Sequence, residues 1–435
     1  MGGASERFGS PKALARFRNE TLAERAWRLL NEVCVEVVAV GKEDDALELP
    51  FAVLDDGSAE RAPVFGVLAG LRAASYETCL VLPVDTPLVT PELLRELLGA
   101  GAVPQTGPLP GVYSKAVLPE LEARVAAGAL SLRGVNTTVV EVDARRLANV
   151  NNGMDLIEAA IADWAREQPD VHAAVVVGSR AREDTPADRW SDLDVFLVVD
   201  DPVPYLANEG WIAEFGTPVL TFLEPTAVGQ ERERRVLYET GEDVDLPILG
   251  LASLDRIDIA GGLLARGYRV LVDEIGLEVR LAAVASQVEP APALEQAELT
   301  ELASDLWYHA LWAAKKLRRG EVLTAKGCID GYLKARLVTL LQWHARAVDP
   351  SVDTWHDARF IERWADPGAL AALERAYAYY DVRDVARALW ETIDLFQGLE
   401  EETARRLGLV VELDHADLRR RVSEVVRDPR HGATL

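Results

Sequence analysis

Cysteine, histidine and basic side chains are the scarce components of this chain, and each shortage removes a class of function. Three cysteines in 435 residues, Cys34, Cys79 and Cys328, are too few and too widely spaced for a disulfide framework or a zinc site. The six histidines are scattered, with no close pair. Lysine and arginine number 46 against 71 aspartates and glutamates, a net charge of −25. A protein that grips nucleic acid must neutralise phosphates with basic side chains, so no nucleic-acid partner is expected. No apolar run reaches the length of a membrane span. The opening residues, MGGASERFGSPKALARF, lack the basic stretch and apolar core of a secretory leader. A reducing cytoplasm and no membrane partner are therefore expected.

What is present is ample core material: 49% of the residues are apolar, enough for the two or three globular domains that this length suggests. Residues 1–160 alternate helical and strand patterns. Leu14–Leu30 and Pro63–Ala74 read as helices and Val33–Val40 and Cys79–Val84 as strands, which predicts a Rossmann-like parallel sheet covered on both faces. Asp155–Gln168 reads as a helix. Residues 161–288 predict a mixed α/β domain with strands at Ala173–Val177, Leu193–Val199, Val219–Leu223, Arg235–Glu239 and Val244–Leu249, and a helix near Tyr205–Phe215. A proline-rich linker at Pro290–Pro292 opens residues 289–435, whose apolar stripes (Trp307, Leu311, Lys315; Ala325, Ile329, Leu333; Ala386–Leu407) predict a helical bundle. The fold class is thus α/β and α+β multidomain.

The richest chemistry lies in VVVGSRAREDTPADRWSDLDVFLVVD, Val175–Asp200. A strand runs into Gly178-Ser179, and a second strand opens with Asp192 and Asp194. Alternate residues of a strand share a face, so the two carboxylates stand side by side. Their mutual repulsion is relieved by a divalent cation with oxygen ligands, and Mg2+ keeps coordination positions for substrate phosphates. Gly178 permits close backbone approach to a triphosphate, Ser179 can donate to it, and amides of such a turn suit an anion. A third carboxylate is expected on a neighbouring strand. Asp245, inside the apolar alternation of GEDVDLPIL, is preferred over Asp243. A D-x-D pair alone is a weak signal, because acidic pairs at strand ends are common; the whole ordered set is stricter.

These pieces, with WIAEFGTPVLTFLEP, YETGEDVDLPIL and LWYHALWAAKKLRRGEVLTAKGCIDGYLKARLVTLLQWHA, resemble the aminoglycoside 6-adenylyltransferase (streptomycin adenylyltransferase) family of polymerase-β-like nucleotidyltransferases over residues 171–410. The resemblance implies transfer of AMP from ATP to an aminoglycoside hydroxyl, an antibiotic-modifying reaction, with Asp192 and Asp194 as metal ligands. It assigns Gly178, Ser179 and Arg180 to the nucleotide, Lys315 and Arg319 to the nucleotide or to domain packing, and residues 289–435 to substrate binding. Asp245 is either the general base or a third ligand. A small cationic acceptor agrees with the acidic balance, although acidic surfaces also serve solubility. Acidic helix residues such as Glu321 and Asp330 more often face solvent.

A second constellation opens the chain. Gly2, Gly3 and Gly9 surround Ser5 and Arg7, and Lys12 closes the loop, a pattern suited to phosphates. LVLPVDTPLV ends a strand in Asp85, and Asn149, Asn151 and Asn152 follow at the end of the region. Such residues also serve as turns and caps. With FGVLAGL and LANVNNGMDL, residues 1–160 resemble molybdenum-cofactor guanylyltransferases. The resemblance implies GTP as substrate, Gly2, Gly3, Arg7 and Lys12 on the nucleotide, and Asp85 as a magnesium ligand. The sequence departs from that family by lacking an apolar strand before the glycine loop. Either its start lies downstream of the true one, or the domain is degenerate and kept for folding or association. Three functions follow: an aminoglycoside-type adenylyltransferase, a guanylyltransferase activity in the first part, or a non-catalytic nucleotide-binding scaffold. The oligomeric state is left open.

Overall fold

The computed structural model describes residues 11–45, 47–182, 185, 187–226, 231–287, 293–354 and 358–427. It divides into two compact units, Met1–Val288 and Glu289–Leu435. Gly2, Gly3 and Arg7, and the linker prolines Pro290 and Pro292, lie outside the described residues.

The first unit opens with a short hairpin, β1 (Arg16–Phe17) and β2 (Glu20–Thr21), which feeds α1 (Leu22–Val33). Thr21 starts this helix. Its hydroxyl accepts from the Glu24 amide while the Glu24 carboxylate accepts from the Thr21 amide, which satisfies two of the free donors at a helix start. Then come β3 (Ala39–Gly41), β4 (Val53–Asp55), α2 (Pro63–Ala73), β5 (Thr78–Val81), α3 (Pro91–Ala100), β6 (Val103–Pro104), β7 (Gly111–Ser114), α4 (Leu118–Ala126) and β8 (Val139–Val140).

Among the described residues the single parallel sheet expected here is not formed. β3 pairs with β4 and β6 with β8 in parallel, while β5 pairs with β7 antiparallel, as separate two-stranded ladders. Among the described residues these three ladders share no strand, and ladders merge only where a neighbour stands one strand spacing away. The strand expected over Val33–Val40 shrinks to Ala39–Gly41, with α1 running on through Val33, and residues 16–21 form the hairpin rather than helix.

From α5 (Gly153–Glu167) the fold is regular. A six-stranded mixed sheet, in the order β11-β12-β13-β10-β9-β14, contains β9 (Val171–Val177), β10 (Leu193–Val199), β11 (Pro218–Pro225), β12 (Arg232–Tyr238), β13 (Asp243–Gly250) and β14 (Arg269–Asp273). Only β10 and β13 run parallel. The helix expected near Tyr205–Phe215 is two pieces, α6 (Pro202–Ala207) and a 3-10 turn at Gly210–Glu214. The short α7 (Gly261–Leu264) and α8 (Leu277–Ser286) complete the unit.

Strand alternation divides the sheet's apolar residues between two cores. Ala174, Val176, Val195, Leu197 and Leu246 face α5, where Ile157, Ile161 and Trp164 meet them. Ala173, Val175, Val177, Phe196 and Val198 face Leu254, Ile257, Leu264 and Leu281. The first core also holds Phe17, Leu22, Leu88 and Val150, so the opening region and the six-stranded sheet share α5. Ion pairs reinforce that junction: Arg18 reaches Asp163 at 3.1 Å and Glu214 at 3.0 Å, and Arg25 reaches Asp163 at 2.8 Å. Phe17 is 1% exposed beneath the Arg25 guanidinium. Phe17→Ala should therefore destabilise the whole first unit by about 3 kcal/mol, read as a lowered denaturation midpoint of the sheet itself. A drop confined to the first 150 or so residues would show that the two regions unfold separately.

The second unit is helical: α9 (Gln296–Arg318), α10 (Val322–Gly327), a π-helical turn at Cys328–Leu333, α11 (Lys334–Val348), α12 (Ile361–Trp364), α13 (Pro367–Arg375), α14 (Val382–Leu407) and α15 (His415–Arg427). Ala325, Ile329 and Leu333 are all buried in its core. Of the other stripe, Trp307 is buried but Lys315 is exposed, because steps of four overshoot a helical turn by about 40° each. No helix among the described residues is long and apolar enough to cross a membrane.

Candidate active site

The site is built at one end of the six-stranded sheet, on the face away from α5. β9 ends in a 3-10 turn, Gly178–Arg180, where the expected helix opening is only this single turn. Gly178 has φ +69°, and a Cβ there would lie well inside contact distance of Asp194 Oδ2. Glycine is thus required twice, by the backbone conformation and by the carboxylate beside it. Gly267, at φ +132°, performs a related service: a Cβ there would strike the Ala181 carbonyl, so its absence lets the turn nest against the segment leading into β14.

Asp194 is the second residue of β10, whereas Asp192 lies just before the strand, a small correction to the expectation that both are strand-borne. In register, Asp194 stands opposite Val177 of β9 on one side and Asp245 of β13 on the other. Because β10 and β13 are parallel neighbours, two carboxylates 51 residues apart in sequence land side by side. Ligating atoms of Asp192, Asp194 and Asp245 all lie within 4.8 Å of one another, and this is the one such acidic or histidine cluster among the described residues.

Burial pushes the Asp194 carboxyl up to about 8, with the charges of Asp192, Asp245 and Glu233 adding to it and Arg235 opposing. Burial likewise pushes Asp245 up to about 7, Arg235 opposing and Asp192 and Glu233 adding. Carboxylates concentrated this way are unfavourable without cations. The Ser179 hydroxyl, next in the chain to Gly178, is buried and makes no hydrogen bond among the described residues. Hard oxygen donors, excess negative charge, a glycine-lined approach and an unused buried hydroxyl together fit a divalent cation and a phosphate group.

Other expected residues take different places. The Arg180 guanidinium donates to the carbonyls of Asp192, at 3.2 Å, and Ser191, at 3.3 Å, so it braces the segment that carries Asp192. In the second unit Lys315 is exposed near the end of α9, and Arg319 pairs with Glu321 at 2.9 Å just beyond it. Lys12, Asp85 and Asn151 do converge in the first unit: the Lys12 ammonium lies 3.2 Å from both the Asp85 carboxylate and the Asn151 side-chain oxygen. Asp85 has an ammonium beside it rather than further carboxylates, and it joins no metal-ligating trio among the described residues. Asn152 caps α5 by accepting from the Asp155 amide.

Sequence reading passed over Glu233 and Arg235. They lie on β12, with Arg235 in register with Asp245, its guanidinium 3.1 Å from the Asp245 carboxylate and 3.0 Å from Glu233. The only trace in the sequence is the charged alternation of RERRVLY, which gives no hint of which strand it will face.

The profile of the streptomycin adenylyltransferase family matches residues 154–424, and that of the MobA-like NTP transferase domain matches residues 1–139. A probable molybdenum cofactor guanylyltransferase of Pelotomaculum thermopropionicum is 34% identical over 183 residues, covering 37% of this chain and 89% of its own length. The aminoglycoside 6-adenylyltransferase of Bacillus subtilis is 21% identical over 257 residues, covering 57% of this chain and 88% of its own. The crystal structure of an aminoglycoside 6-adenyltransferase from Bacillus subtilis aligns with 63% of this chain and 99% of its own, at 14% identity and a TM-score of 0.32. Two nucleotidyltransferase regions thus follow one another, and the chain belongs to the streptomycin adenylyltransferase family, preceded by a region of the MobA-like NTP transferase type.

Proposed function

We propose that the carboxylate trio is the centre of a Mg2+-dependent adenylyltransferase that moves AMP from ATP to a hydroxyl of a small cationic, aminoglycoside-like acceptor. The observation that carries this reading is the convergence of Asp192, Asp194 and Asp245 beside the Gly178–Ser179 turn. In the reaction the acceptor oxygen forms a bond to the α-phosphorus, pyrophosphate leaves, and the hydroxyl proton must be taken up. Asp192 and Asp194 would hold the cation, which supplies charge neutralisation for the triphosphate when bound. Gly178 leaves room for phosphate oxygens near the backbone, and the Ser179 hydroxyl has a free proton to donate. Asp245 completes the set, and a carboxylate whose proton affinity stands near neutrality is suited to general-base work. Residues 289–435 are proposed as the substrate-binding domain, and the three free cysteines suit the reducing cytoplasm in which we place the enzyme. Aminoglycoside modification would make it an antibiotic-resistance enzyme.

Incubation with Mg2+, labelled ATP and a panel of aminoglycosides tests the reading. A nucleotidylated product should form, vanish in Asp192→Ala and persist in Asp85→Ala. No product with any acceptor, together with no metal-dependent ATP binding, would sink it. The convergence of Lys12, Asp85 and Asn151 favours a second activity of guanylyltransferase type in residues 1–160. That activity would consume GTP, be lost in Asp85→Ala and survive Asp192→Ala.

A further inference from the structure

We infer that Arg235 is a resident counter-cation of the carboxylate trio, holding the place of part of a divalent cation's charge and so linking cation binding to the arrival of the triphosphate. The inference rests on the metal-site reading above and deepens it. Arg235 is held from three sides. Its guanidinium lies 3.1 Å from Asp245 Oδ2, it pairs with Glu233 through Nη2 at 3.0 Å and Nε at 3.1 Å, and it contacts Glu224 on β11. Glu233 is only 6% exposed and strand-borne, so the guanidinium is anchored at its base rather than swinging in solvent. Adjacent antiparallel strands put Arg235 directly opposite Asp245, and Asp245 in turn stands next to Asp194. The cation is therefore part of the sheet's register.

Charge logic gives it a role. Three carboxylates within 4.8 Å would attract a divalent ion strongly even without nucleotide. A fixed guanidinium against one of them weakens that attraction, because the incoming ion must share Asp245 with a like charge. A triphosphate brings four negative charges of its own and outweighs the guanidinium. The site thus favours the cation together with the nucleotide over the cation alone. A purely structural ion pair would support the strands but would not weaken metal binding.

The test is Mn2+ binding to the full chain, followed by electron paramagnetic resonance with Mn2+ alone and then with a non-hydrolysable ATP analogue. Arg235→Gln and Arg235→Met, which remove the charge, should each bind Mn2+ alone about ten-fold or more tightly, the direction and scale that loss of a nearby like charge gives. Arg235→Lys, which keeps the charge, should stay within about three-fold of the unaltered protein. With the analogue present the difference between the proteins should narrow. Unchanged or weaker Mn2+ binding in both charge-removing variants overturns the inference while leaving the metal site standing. If the unaltered protein binds no Mn2+ in an Asp194-dependent manner, the metal-site reading itself fails and this inference falls with it. Thermal denaturation in EDTA provides the check on folding: either charge-removing variant that retains a cooperative transition decides the question.

Discussion

Asp194→Asn is expected to abolish nucleotidyl transfer, by a factor of roughly 1000 or more, and yet to make the metal-free protein more stable above neutral pH. Both effects arise from one carboxylate. In an unfolded chain an aspartate titrates near about 4. In the fold, burial and the neighbouring acids raise Asp194 to about 8. Between those values the native state holds a proton that the unfolded state has released. The stability tied to this group is therefore fully present below about pH 4 and is lost as the pH rises through about 8. Above that, the native protein carries a charge it solvates poorly. Asparagine has the same shape and no charge, so it escapes that cost while losing the ligand. Denaturation in EDTA should show the variant ahead by about 2 kcal/mol at pH 9 and level with the parent only near pH 4. Added Mg2+ should stabilise the parent and not the variant. A variant that keeps its activity, or that is less stable at pH 9, would contradict the assignment of Asp194.

Gly178→Ala is expected to cost about 100-fold or more in transfer activity and about 2 kcal/mol in stability. Two independent strains meet at this residue. At φ +69° an alanine pays for a left-handed backbone, and its Cβ would also press into Asp194 Oδ2, so either the turn or the carboxylate must move. Gly57 separates the two contributions. It has φ +72° but nothing within 4 Å of its Cβ position, so Gly57→Ala carries the backbone strain alone. Gly57→Ala should lose about 1 kcal/mol and leave transfer unchanged, as measured by denaturation and by product formation with labelled ATP. Equal activity losses in the two variants would show that displacement of Asp194 is not what matters at Gly178.

The strands between Val171 and Gly250 were legible to within a few residues, because long β-branched runs have few other places to go. The Gly-Ser turn and the acidic pair were legible because their spacing is local, although Asp192 falls just before β10 rather than on it. The first 150 residues were read less well. There the strands are two to four residues long, and short apolar runs fit helix, strand or loop alike. Val33 shows the ambiguity, since it reads as the start of a strand and closes a helix instead. Arg18 and Arg25 give no sign in sequence that both will reach Asp163, far along the chain.

By itself the sequence determined the kinds of chemistry on offer: acids in excess, a glycine where phosphate must come close, and a closely spaced acid pair where a strand begins. Tertiary structure alone decided how the distant groups meet and which counter-cation joins them. Placing β13 beside β10 in parallel brings Asp245 to Asp194, and placing β12 beyond it delivers Arg235. Strand order is a choice among packings of similar apolar strands, made by the two cores and the connections together. No single segment encodes it, which is why the pair and the candidate third acid, Asp245, could be named from the residues, while the register that joins them and the counter-cation Arg235 had to be found in the fold.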